Sequence, residues 1–207
     1  MKSKIFLLLL CLGIAGFFFF RKSDVIDLSR IEEKGKTIHL NPTRKIGDAI
    51  DNLEGVDVFF NGRIGHVKDR NVTTDGYNLG LRWQCVEFVK RFYFEFLNHK
   101  MPNSYGHAKD FFDKKIRDGQ FNRDRNLIQY SNPSKTKPQI YDIIIFDGHK
   151  NNPYGHVAII SKVNENSIEI IQQNMGTFGS SREDLELIFE NGFWEIRSGR
   201  LIGRLSK

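Results

Sequence analysis

The chain has 207 residues, enough for one sizeable core, and its 40% hydrophobic and 27% charged content is that of a globular protein. Thirty-one Lys and Arg against 25 Asp and Glu leave a net charge of +6, which favours acidic partners such as an anionic wall polymer or lipid headgroups. No helix-turn-helix, zinc-finger or RNP-like pattern accompanies that charge, so nucleic acid is not an expected partner.

Lys2 and Lys4 precede an unbroken apolar run from Ile5 to Phe20, which Arg21-Lys22 closes. As a helix the run would cover roughly 24 Å, short of the roughly 30 Å hydrocarbon core and between a secretory h-region and a short signal-anchor. Cys11 follows Leu10, where a lipoprotein site needs a small residue. Residues 1–22 are expected to be a signal peptide or membrane anchor, and 23–45 a charged tether. Residues 46–207 are expected to form a domain on the extracytoplasmic side of the membrane, or secreted.

Phe59-Phe60-Asn61-Gly62 reads as a strand end, and a polar loop from about Asp69 to Gly80 turns at Asp75-Gly76. From Gln84 the period becomes helical: Cys85, Val89, Phe92 and Phe96 fall on one face, widened by Val86, Tyr93 and Leu97. A second helix is expected from His107 to Arg117, then a polar looped segment from about Gly119 to Pro138. Ile140 to Phe146, Gly155 to Lys162 and Ser167 to Gln172 read as strands, the last two joined by a turn at Asn164-Glu165-Asn166. Leu185, Leu187 and Phe189 alternate up to Asn191-Gly192, a strong hairpin signal, and Trp194 and Ile196 alternate beyond it. Helices first and strands later predict an α+β domain, N-terminal helices packed on an antiparallel β-sheet.

Cys85 is the one cysteine beyond the N-terminal apolar segment, so an exported domain would carry an unpaired thiol in an oxidising space. A thiolate is the reactive form, and both a helix N-terminus and a nearby imidazolium favour it. The first-turn N–H groups at Cys85, with the Gln84 side chain, would form an oxyanion hole. Among six histidines, His156 alone opens a β-rich run that can hold an imidazole in register, with His149 as the second candidate. Such a base needs an acceptor for its Nδ1 proton. In Glu169-Ile170-Ile171-Gln172-Gln173-Asn174, alternation puts Gln172 and Asn174 on one face, with Gln173 pointing away. Gln172 is preferred and Asn174 follows, while Glu169 is a charged alternative on the opposite face. The histidines are scattered and lack metal-ligand spacing, so no metal or cofactor is expected.

With those residues in place, the chain resembles the CHAP family of cysteine- and histidine-dependent amidohydrolases/peptidases, within the papain-like superfamily. The nearest resemblance inside it is to the amidase half of glutathionylspermidine synthetase/amidase. The likeness is carried by Trp83-Gln84-Cys85-Val86-Glu87-Phe88 with Arg91-Phe92, and by Gly155-His156-Val157-Ala158-Ile159-Ile160. Gln173-Asn174, Leu185-Glu186 and Glu190-Asn191-Gly192 continue it, so that it runs from roughly Asp75 to Leu205. It implies a papain-like/NlpC-type cysteine hydrolase fold and amide hydrolysis through a thioester on Cys85, with His156 as base and then acid. The implied substrate is a glutathionylspermidine-like conjugate or a peptidoglycan peptide. No synthetase half accompanies the motifs, so ATP-dependent ligation is not expected. Where that amidase has a glutamate, this chain has Gln172. A neutral acceptor stabilises imidazolium less, and the alternative is a weak or inactive module that binds cell wall or a partner protein.

Overall fold

The computed structural model describes residues 44–207. The apolar segment 1–22 and nearly all of the tether 23–45 lie outside the described residues. Among the described residues, no helix is long and apolar enough to cross a membrane.

Two hairpins lead to the helix: β1 (Ala49–Leu53) with β2 (Val56–Phe59), then β3 (Arg70–Val72) with β4 (Asn78–Leu81). Helix α1 (Cys85–Glu95) follows, and then a 3-10 turn at Ala108–Phe111. The remaining elements are β5 (Gln120–Asn122), β6 (Leu127–Ser131), β7 (Ile143–Phe146), β8 (His156–Val163), β9 (Ser167–Ile171), β10 (Arg182–Glu190), β11 (Phe193–Ile196) and β12 (Leu201–Ser206). They form one eight-stranded antiparallel sheet in the order β11-β10-β9-β8-β7-β12-β6-β5.

Strand alternation divides the core in two. Ile143 and Ile145 of β7, Val157 and Ile159 of β8, and Ile171 of β9 pack against Phe88, Val89 and Phe92 of α1. Ile144, Ala158, Ile160, Ile168 and Ile170 point to the other face and meet Leu185, Leu187 and Ile196. The sheet curls, because Ser134 beyond β6 exchanges two backbone hydrogen bonds with Trp194 on β11, at 3.0 and 2.7 Å. Asn191 and Gly192 close the β10–β11 hairpin with φ of 54° and 81°, the positive values that a type I′ turn requires.

The expected fold class is corrected here. The described chain is mostly β-sheet, with one α-helix against the sheet rather than a set of N-terminal helices. The helix expected from His107 to Arg117 is a single 3-10 turn, because tertiary partners take the backbone groups that a helix would use. Lys109 N–H donates to Tyr154 O at 3.0 Å, Arg125 donates to Asp110 O at 3.1 Å, and Asp113 exchanges hydrogen bonds with the Gln129 side chain. The segment read as loop from Gly119 to Pro138 contains β5 and β6, hidden because Gln129 occupies a buried position where alternation needs an apolar residue. Strand β12 lies between β7 and β6 with buried Arg204 held by Asp142, a sequence that reads as polar. The polar loop before α1 is the β3–β4 hairpin.

Candidate active site

Two glycines set the approach of the two reactive elements. Gly80 on β4 has φ of +130°, and a Cβ there would stand 3.2 Å from the Glu87 backbone, so only glycine lets β4 lie against the first turn of α1. Gly155 has φ of +76°, and its Cβ would fall 2.5 Å from Phe146 O, so His156 enters β8 tight against β7. Gln84 is the extended N-cap of α1 and Cys85 its first helical residue, with no side chain capping the first-turn N–H groups.

The Cys85 thiol is buried, and its electrostatic partner is the His156 side chain. Burial alone would push the thiol up. The charge and hydrogen bond of His156, with the N–H groups of Val157 and Val86, outweigh it and hold Cys85 below its usual range. Burial likewise works against imidazolium. Cys85, and then the hydrogen bond that His156 donates to Gln172, overcome it and raise His156 above its usual range, although Arg200 opposes them. The two opposite shifts each favour the ionised form of their group.

Gln172 Oε1 accepts from His156 Nε2 at 2.8 Å. This corrects the expectation that the third group would take the Nδ1 proton. The proton it fixes is on Nε2, which leaves Nδ1 for the sulfur. The amide Nε2 of Gln172 donates to Ser180 O and to Glu183 Oε2, each at 3.4 Å.

Asn174 does not share the ring with Gln172. Its Nδ2 donates to Gln84 Oε1 at 2.7 Å, and its Oδ1 accepts from Asn61 at 2.8 Å. Gln84 Nε2 donates to His66 O at 2.6 Å, and its second N–H has no partner among the described residues. Glu169 is committed to Arg182, Ser161 and Lys162, and His149 stands exposed in the β7–β8 loop. Among the described residues no three His, Cys, Asp or Glu side chains gather as a metal site would require.

Sequence reasoning missed the support beneath Cys85. Glu87 is fully buried and accepts from Arg91 at 2.7 Å, Asn71 at 2.8 Å and Gln173 at 2.9 Å. Gln173 also donates to Gln84 O at 3.0 Å and accepts from Phe59 N–H at 2.7 Å. The available signal was the i,i+4 spacing of Glu87 and Arg91 in so aromatic a helix. Asn61, His66 and Glu183 had no signal, because loop side chains carry no period.

The model of the CHAP domain family matches residues 74–174, from the β3–β4 hairpin to Asn174. The match takes in Cys85, His156, Gln172 and Gln84, and together with the relatives it supports a hydrolase family of the amidase kind. Among curated proteins, the chain is 30% identical over 136 residues to the bifunctional glutathionylspermidine synthetase/amidase of Escherichia coli (strain K12), covering 62% of this chain and 22% of that protein. It is 29% identical over 129 residues to the glutathionylspermidine synthase of Crithidia fasciculata, covering 59% and 17%. The trypanothione synthetase of Crithidia fasciculata is 27% identical over 143 residues, covering 68% and 21%. The chain thus spans between 17% and 22% of the length of these relatives.

Proposed function

We propose that this domain is a cysteine amidohydrolase that cleaves a C–N bond through a thioester on Cys85. The observation that carries the reading is the Cys85–His156 pair, each group shifting the other toward its ionised form, with Gln172 fixing Nε2 of the imidazole. Cys85 Sγ attacks the amide carbonyl, and the oxyanion is met by the Cys85 backbone N–H and the free N–H of Gln84. His156 gives its Nδ1 proton to the leaving amine. It then takes a proton from the water that opens the thioester, releasing the acid and restoring the thiol.

The substrate class is a glutathionylspermidine-type conjugate or a peptidoglycan peptide. The names of the relatives support the first, and the basic chain with its N-terminal apolar run supports the second. Membrane attachment through residues 1–22, with the domain on the extracytoplasmic side, belongs to the same reading. The neutral Gln172 supports a second reading, a wall- or protein-binding module with little turnover.

The test is to incubate the full chain with peptidoglycan and with glutathionylspermidine and to assay new amino groups by mass spectrometry. Cys85→Ala and His156→Ala should each lower release by at least about a thousandfold. The rate should rise as pH climbs through the lowered thiol value and fall as it passes the raised imidazole value. Binding to peptidoglycan with no amine release from either substrate, in the wild type and in Gln172→Glu alike, would favour the second reading.

A further inference from the structure

We propose that Glu183 is a positioning residue: its carboxylate fixes the Gln172 amide so that Oε1, not the NH2 group, faces His156. The inference rests on the cysteine-amidase reading of the site. It begins with a property that a carboxylate at position 172 would lack. A carboxylate presents an acceptor to the ring in either orientation, whereas an amide presents an acceptor one way round and a donor the other. Turned over, Gln172 would offer N–H to His156 Nε2, which would then have to accept. The proton would move to Nδ1, and the nitrogen beside the sulfur could no longer receive the thiol proton.

Sheet register supplies the device that prevents this. Glu183 pairs with Ile170, and Gln172 N–H donates to Ser181 O at 2.9 Å. Gln172 and Glu183 are therefore diagonal neighbours on one face of β9 and β10, within reach of long side chains. Glu183 Oε2 and Ser180 O, both of them acceptors, stand 3.4 Å from Gln172 Nε2. A turned amide would set its oxygen against both, one of them a full negative charge. Glu183 is exposed, so its substitution leaves the core intact. The charged and titratable groups around the ring are Cys85 on α1 and Arg200 in the turn before β12, with uncharged Phe146 of β7 at 6.0 Å. Glu183 thus acts on the ring through the Gln172 amide that it holds.

The experiment measures the pH profile of Cys85 alkylation by iodoacetamide, which needs no substrate, alongside the imidazole nitrogen NMR shifts of His156. Glu183→Lys puts a donor where an acceptor stood and invites the amide to turn. Alkylation near pH 7 should fall about tenfold or more, with His156 passing from imidazolium to the neutral form protonated on Nδ1 alone. Glu183→Gln should fall about two- to fivefold, and Glu183→Asp should recover most of the loss. In Gln172→Glu the orientation problem disappears, so adding Glu183→Lys to it should not slow alkylation. An activated wild-type thiol with Glu183→Lys unchanged in rate and ring tautomer overturns this inference alone. A wild-type thiol that alkylates no faster than a free model thiol overturns the amidase reading and this inference with it.

Discussion

The thiol and the imidazole are held by supports of opposite construction. Beneath Cys85 lies a buried polar web: Glu87, Arg91, Asn71 and Gln173 satisfy one another and tie the N-cap of α1 to β2. Beneath His156 lies aliphatic sheet, with β8 between β7 and β9 and Val157, Ala158, Ile159 and Ile160 fully buried. A helix end fed by irregular hairpins has no repeating surface to pack on, so directional hydrogen bonds must fix it. A strand in the middle of a sheet is fixed by register and by non-directional packing. The first kind of support fails abruptly when one member is lost, and the second yields by degrees.

Three substitutions sharpen that contrast. Glu87→Ala strands Arg91, Asn71 and Gln173 in the core, and it should cost about 3–5 kcal/mol by denaturant melt, with loss of rapid Cys85 alkylation. Asn174→Gly keeps the left-handed turn, φ of 68°, and removes the amide that clamps Gln84. Amine release should fall about 10–100-fold at unchanged melting temperature, because the oxyanion donor is loosened while the core is not. Turnover at the wild-type level would remove Gln84 from the oxyanion hole. Ile159→Val trims the sheet by one methylene and should cost about 0.5–1.5 kcal/mol, with Cys85 reactivity in the folded protein unchanged. A collapse of reactivity there would show that the sheet, too, is an all-or-none support.

What could be read from sequence follows the same division. The C-terminal strands β7 to β11 and the Asn191-Gly192 turn were legible because period-two alternation and turn chemistry are local signals. The start of α1 at Cys85 was legible for the same reason. The helix count was not. His107 to Arg117 has the residues of a helix, but its backbone groups are spent on Tyr154, Arg125 and Gln129, far away in sequence. Strands β6 and β12 escaped because Gln129 and Arg204 occupy inward positions and are satisfied there by partners that no short window contains. At the site, alternation placed Gln172 beside His156 but could not tell which ring nitrogen it meets. It also grouped Asn174 with Gln172, although the chain leaves the strand at Ile171 and turns through positive φ at Asn174.

Gly155 leaves this architecture with a lopsided tolerance for change. A side chain there would collide with Phe146 O and with Lys109, so the geometry of the base cannot be retuned from the residue that introduces it. Variation around the site has to enter elsewhere. The loops around residues 62–68 and 174–180 meet where Gly176 faces Ile64, and they carry exposed Ile64 and Phe178 at their surfaces. Ile64 and Phe178 are the positions in those loops to change, because His66, Asn174 and Ser180 in the same loops hold Gln84 and Gln172.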